Sequence, residues 1–308
     1  MARHNAAALY GQVCKEPAIV KGSDGEIIYS MCYIKTLRGI RKVDNGVNYL
    51  RYDKILILAK DKPTYTKMVD WHVNDMVEVK GMFATKNVDK IAYCSDPECP
   101  NSRERKGGIK KPGTICFVLP IFADKIKTLS DNNSCLMDLY EHREVSNQIY
   151  ALGELVREPK KIKIAAKEDG KPSITLTQYQ IALDRKYKVK TDPPEIKADY
   201  PWVKSYGAMG KEDRLRLHTG SVVFIDGYIQ RRKVSRKTIC PLCSRQFEWS
   251  DDNLELVPYD IEYMPHTFYS DAMLEEMAKE NPEELKQRLY VDAMTERFDE
   301  LEEGLSSN

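Results

Sequence analysis

Two short cysteine pairs are the side chains best placed to do chemistry. Cys240 and Cys243 stand three positions apart in RKTICPLCSRQF, and Cys94 and Cys99 stand five apart in YCSDPECPN. A Cys-x2-Cys knuckle is half of a tetrahedral zinc site, and Cys-x4-Cys falls within ligand spacings when residues such as Pro97 and Pro100 stiffen it. Neither segment carries four ligands of its own. The expected site is therefore shared: one structural Zn2+ held by Cys94, Cys99, Cys240 and Cys243. A site bridging two chains, or no metal at all, stays open at this point. Zinc on four thiolates carries net negative charge, so it would clamp structure rather than act as a Lewis acid. Cys116 is a conceivable extra ligand, but it and Cys14, Cys32 and Cys135 read as buried thiols. Eight cysteines in 308 residues are too few for a disulfide scaffold.

Positive charge surrounds both pairs. Arg103, Arg105, Lys106, Lys110 and Lys111 follow the first, and Arg231, Arg232, Lys233, Arg236 and Lys237 lie around the second. Cations hold thiolate charge, and the same cations can meet phosphate. The net charge of +1 hides an asymmetry: residues 266–308 carry twelve acidic and four basic side chains, which leaves +9 on residues 1–265. A basic body with an acidic end suits a nucleic-acid binder. Hydrophobic content of 42% and charged content of 31% describe an ordinary globular chain. No apolar run approaches 18 residues, and the start, MARHNAAALYGQV, lacks a secretory-type apolar stretch, so a cytoplasmic protein without membrane contact is expected. No Gly-rich phosphate loop or nucleophile–base motif is present, and His4, His72, His142, His218 and His266 are scattered. The chain does not read as an enzyme.

The elements that must position the cysteines come in duplicate. LYGQVCKEPAIVK at 9–21 matches ALGELVREPKKIK at 151–163, with Gly11 on Gly153 and Pro17 on Pro159 at an offset of 142. DMVEVKGMFATK at 75–86 matches SVVFIDGYIQRR at 221–232, Gly81 falling on Gly227 at 146, and Cys94 falls on Cys240 at the same offset. LPIFADKI at 119–126 matches VPYDIEYM at 257–264, Pro120 on Pro258 at 138. Ordered anchors with nearly constant offsets indicate a duplicated domain. The expected division is 1–137, 138–265 and an acidic helical segment 266–308, with a polar joint around 130–147.

In the first copy AALYGQV, IIYSMCYIKTL and NYLRYDKILILAK read as strands, PTYTKMVDWHV as a helix with Pro63 in its first turn, and DMVEVKGMFATK and GTICFVLPIFADKI as two more strands. The order β-β-β-α-β-β is that of the OB-fold, so the expected class is all-β: two tandem five-stranded barrels with minor helix. LYGQVCKEPAIV, with its Gly-x5-Pro spacing, and DKILILAKDKPTYTKMV…NDMVEVKGMFATK, closing on Val-x-Gly-x3-Thr, resemble bacterial single-stranded DNA-binding proteins. That family usually has one barrel per chain, assembles as a tetramer, lacks metal in this loop and ends in an acidic tip closing on Pro-Phe; this chain repeats the barrel, adds cysteines and ends DELEEGLSSN. The resemblance implies single-strand binding by base stacking, with Tyr52 in a stacking position.

The expected nucleic-acid surface lies on the second and third strands. Tyr33 and Lys35 share one side of the second strand with Tyr29 and Met31, and Tyr52 and Lys54 share a side of the third. Trp202 and Lys204 are read as their counterparts in the second copy. The loop after the second strand is basic in both, with Arg38, Arg41 and Lys42 in one and Arg185, Lys186 and Lys188 in the other. Lys86, Arg103, Arg105, Arg231, Arg232 and Lys233 complete the set, and Phe247 and Trp249 read as packing against the knuckle. Aromatic rings for bases and cations for phosphates are the general recipe for single strands. The acidic end reads as two helices, with Asn281 as an N-cap and an apolar stripe Tyr290, Met294, Phe298, Leu301 that needs a partner: the protein's own body, a second copy, or a replication or transfer protein.

These features point to a protein that binds single-stranded DNA largely without sequence preference, in replication, recombination or DNA transfer. A homodimer would supply four barrels, and the duplicated, cysteine-bearing form suggests a phage or mobile element. The alternatives are RNA binding, a primosome-type accessory role, or a zinc-stabilised adaptor for protein partners.

Overall fold

The computed structural model describes residues 4–38, 50–164, 174–185, 187, 192–193 and 195–264, and helical positions 278–279, 282–283, 285–287 and 290. Strands dominate: β1 (Asn5–Val13), β2 (Ala18–Lys21), β3 (Ile27–Leu37), β4 (Tyr52–Ala59), β5 (Asp75–Ala92), β6 (Ile109–Thr128), β7 (Asn147–Ile164), β8 (Ile174–Asp184), β9 (Ala198–Asp199), β10 (Trp202–Tyr206), β11 (Val222–Ile239) and β12 (Gln246–Tyr263). Helices are α1 (Lys62–Val69), α2 (Asn132–Glu141) and α3 (Gly207–Arg216).

β1 pairs antiparallel with β3 and β5, β3 with β4, and β5 with β6. β4 meets β6 in parallel, with Ile57 beside Val118. The ring β1-β3-β4-β6-β5 is therefore closed, and it is an OB barrel. In the second copy β8 pairs antiparallel with β9 and with β10. β3 shows why its sequence makes a wall of such a barrel: Ser30, Cys32, Ile34 and Thr36 are buried, while Tyr29, Met31, Tyr33 and Lys35 alternate outward. β4 is buried on both faces from Ile55 to Ala59.

Side-chain chemistry reproduces the sequence repeat. The Asn5 carboxamide oxygen accepts the Phe83 N–H at 2.8 Å and its nitrogen donates to the Phe83 carbonyl at 3.1 Å. Asn147 makes the same pair with Ile229, at 3.0 and 2.9 Å. The offsets between these residues are the 142 and 146 of the repeat. In the β5–β6 ladder the register shifts between Lys80 and Gly81, setting Gly81 opposite Pro120. A Cβ on Gly81 would overlap the Leu119 carbonyl, and one on Gly227 the Val257 carbonyl beside Pro258. The Gly81–Gly227 and Pro120–Pro258 anchors thus mark the same close backbone approach in both copies.

The described chain divides into two compact units. One comprises residues 1–151, 183–201 and 225–260. Its core includes Leu9, Val13, Ile34, Ile55, Met68, Trp71, Phe83 and Phe117. Within it β1 runs antiparallel to the start of β7, from Asn5 opposite Ala151 to Leu9 opposite Asn147. The other comprises 152–182, 202–224 and 261–308. There β8 pairs with β10, Trp202 opposite Gln180. Leu155, Leu176, Tyr179, Ile181, Val203 and Val223 are buried in it.

The joint read as polar contains α2, capped by the Asp131 carboxylate, which accepts the Asn133 and Ser134 N–H groups at 2.8 and 2.9 Å. Cys135 and Leu139 of α2 pack with Tyr10, Leu37 and Met76. The Tyr10 hydroxyl donates to Asp138 at 2.6 Å, so the helix is held against the first copy. Among the described residues no helix is long and apolar enough to cross a membrane.

Candidate metal centre and nucleic-acid surface

The four expected cysteines meet. The β5–β6 ladder continues to Ala92 opposite Ile109, carrying the loop with Cys94 and Cys99 far from the barrel. β11 and β12 are neighbouring strands that carry Cys240 and Cys243 between them. The four sulfurs lie within 4.8 Å of one another. Cys94 Sγ is 3.6 Å from Cys243 Sγ, and Cys99 Sγ is 3.6 Å from Cys240 Sγ. Four thiolates at about 2.3 Å from a tetrahedral ion stand about 3.8 Å apart, so the cluster is compatible with a metal site. Ala92, Phe247, Ile109 and Trp249 pack around it, which assigns Phe247 and Trp249 to the knuckle's shell. The backbone N–H of Cys243, opposed by burial and helped by the Asn101 amide, brings the Cys240 thiol down to about 6. Cys99 receives a backbone hydrogen bond from Asn101, yet burial and the other thiols push it up to about 12. Cys94, Cys99 and Cys240 are buried and Cys243 is exposed. Cys116 lies in β6, outside the cluster, where burial raises its thiol to about 12.

The surrounding cations are partly engaged. Arg103 sits 5.0 Å above the Tyr93 ring, and Arg105 pairs with Glu98 at 2.5 Å. Arg236 pairs with Asp251 at 2.8 Å, and Arg231 with Asp252 at 2.6 Å. Lys86, Lys106, Lys110 and Lys233 are exposed, and Arg232 is half-buried.

On the first barrel, Tyr33 is exposed, with the Arg231 guanidinium 5.5 Å from its ring centre. Lys35 lies opposite Lys54 in the β3–β4 ladder. Lys54 is exposed, and Lys35 donates to the Asn132 carboxamide oxygen at 2.8 Å. Tyr52 is half-buried and packs against the α2 cluster, so only part of its ring is available.

Arg38 and Arg185, expected at phosphate, are held by buried carboxylates. Arg38 grips Asp53 through two hydrogen bonds, at 2.5 and 2.9 Å, and the other oxygen-sharing donor is the Arg231 N–H at 2.9 Å. Arg185 grips Asp199 at 2.7 and 2.9 Å and pairs with Asp192 at 2.5 Å, while the Thr85 N–H donates to Asp199 at 2.7 Å. Asp199 follows Asp53 by 146 residues and Arg231 follows Thr85 by 146, so this is one latch built twice. In each, an Asp of one copy holds its own Arg and a backbone N–H from the other copy's long hairpin. The sequence reading missed Asp53 and Asp199.

The same offset moves the counterparts of Tyr52 and Lys54. They are Ala198 and Tyr200, which flank Asp199, whereas Trp202 and Lys204 match Leu56 and Leu58. Tyr200 is exposed and Lys204 is buried. Trp202 is half-buried, with Arg157 5.7 Å from its ring. Arg41, Lys42, Lys186 and Lys188 lie outside the described residues, as do Asn281, Met294, Phe298 and Leu301. Tyr290 is described, helical and exposed.

No family model and no curated protein matches the chain. Among solved structures it is similar to the wild-type single-stranded DNA binding protein from Thermus aquaticus, with a TM-score of 0.55 at 10% identity, covering 87% of this chain and 97% of that one. A deletion mutant of that protein gives 0.54 at 12% identity, covering 88% and 100%. At this identity the likeness is one of fold, and it spans both OB copies.

Proposed function

We propose that the chain binds single-stranded DNA with little sequence preference and serves to protect or organise it. The carrying observation is the exposed Tyr33 ring flanked by Arg231, Lys35 and Lys54 on an OB barrel. The Thermus aquaticus protein that shares the fold is itself a single-stranded DNA binding protein. A base stacked on such a ring contributes roughly 1–3 kcal/mol. Lys54, Lys86 and Lys233 are exposed and would neutralise phosphates, and Tyr200 would offer a ring in the second copy. Arg38 and Arg185 act indirectly, by fixing the hairpins that carry the other cations.

We further propose that the four-cysteine cluster holds Zn2+. The donor set is soft, closed and complete at four, which suits a structural zinc ion. Bound zinc would pull the thiolates together and fix the hairpin tips. Two chains associating would assemble four barrels, and the acidic segment 266–308 would then be the contact for other proteins. Titration of a dT oligomer against salt tests the main reading. Affinity should fall with a log–log slope of about −0.7 per phosphate contact, whereas an adaptor for proteins would show no such binding.

A further inference from the structure

We propose that Cys243 is a site of peroxide modification, and that its oxidation converts the metal centre into two disulfides that keep the hairpin tips joined. The inference rests on the metal reading above. Cys243 is the exposed member of the cluster, and the other three sulfurs are buried. A peroxide therefore meets Cys243 first. Its thiolate attacks the O–O bond: an S–O bond forms, the O–O bond breaks and hydroxide leaves. Cys94, whose sulfur is 3.6 Å away, belongs to the other hairpin. Its thiolate attacks the Cys243 sulfur, an S–S bond forms, the S–O bond breaks and a second hydroxide leaves.

Each round oxidises two thiolates by two electrons and reduces one peroxide to water. A metal that has lost two of four ligands is no longer closed in. The remaining pair, Cys99 and Cys240, also spans the hairpins at 3.6 Å and takes the second equivalent. In sum, four thiolates, two hydrogen peroxides and four protons give two disulfides and four waters. Because both contacts run between hairpins, not within one knuckle, the oxidised form stays riveted after releasing its ion. Bond formation needs each pair to close by about 1.5 Å, a side-chain movement.

The test uses the full chain purified without chelator, with its metal content measured first. Hydrogen peroxide is added stepwise beside a metal indicator, and disulfides are then mapped by mass spectrometry without reduction. In parallel, a cyclic 1,3-diketone traps sulfenic acid at substoichiometric peroxide. Expected are metal release during the first peroxide equivalent, Cys94–Cys243 and Cys99–Cys240 linkages, and trapping at Cys243 at least about tenfold above any other cysteine. Dominant Cys240–Cys243 or Cys94–Cys99 bonds, or trapping elsewhere, would overturn the proposal. Absence of metal before oxidation defeats the metal reading by itself, whereas the disulfide map decides the pairing.

Discussion

The duplicated Asp–Arg latch makes a quantitative demand. Asp53 is 2% exposed and accepts two hydrogen bonds from Arg38 and one from the Arg231 N–H. Replacing it with alanine strands a guanidinium whose side chain is 16% exposed. Breaking one partner of a buried ion pair costs roughly 3–5 kcal/mol, and partial exposure of Arg38 favours the lower end, about 3 kcal/mol. At a urea dependence of about 2 kcal/mol per molar, the unfolding midpoint should fall by about 1.5 M. Asp53→Asn keeps an acceptor for the Arg231 N–H and should lose less. Arg38→Ala should cost a similar amount, and Asp53→Ala with Arg38→Ala should show a coupling of at least about 2 kcal/mol. Were Arg38 a phosphate contact instead, its removal would leave the midpoint alone and flatten the salt slope of binding by about 0.7. A midpoint for Asp53→Ala within about 0.3 M of wild type, or strictly additive losses, would refute the latch.

Three other outcomes are expected. Metal analysis should find about one zinc per chain in the wild type, and Cys240→Ser with Cys243→Ser should remove it, since two thiolates cannot close a four-coordinate site; retention of metal by that variant would contradict the assignment. Burial pushes the Asp213 carboxyl up to about 6, even though the Tyr263 hydroxyl donates to it at 2.7 Å. A raised acid favours the protonated fold, so stability should rise by about 3 kcal/mol as pH falls from 7 to about 4. Asp138 and Asp192, held below the usual carboxylate range, act oppositely below that pH. The Asp213→Asn variant should lose the rise between pH 7 and 4, and an unchanged profile would be evidence against it. Deleting residues 268–308 removes the twelve acidic side chains of the C-terminal segment and should raise single-strand affinity at low salt; equal affinity would show that the segment does not compete for the basic surface.

Much of the fold was legible because alternation is a local signal. The strand IIYSMCYIKTL has the bounds of β3, and its inward and outward sides fall as the pattern requires. The cysteine cluster was legible because soft ligands at knuckle spacing need four partners, and the repeat supplied the second pair. The latch was not. A buried Arg185 and an exposed lysine look alike in a run such as DRKYKVK, and only the fold brings Asp199 beneath the guanidinium. α2 escaped because its first residues are polar: Asp131, Asn132, Asn133 and Ser134 are cap chemistry, which reads as a linker. Trp202 was matched to Tyr52 because an aromatic precedes a lysine in both, but Asp53 and Asp199 fix the true register four residues away.

The most direct measurement is equilibrium binding of the full chain to a dT oligomer across a salt series, beside a Tyr33→Ala, Lys35→Ala, Lys54→Ala variant of confirmed fold. The account predicts tight binding at low salt for the wild type. For the variant it predicts at least about tenfold weaker binding, from one lost stack, and a slope shallower by about 1.4, from two lost cations. No binding by the wild type at low salt, or indistinguishable curves for the two proteins, would contradict it.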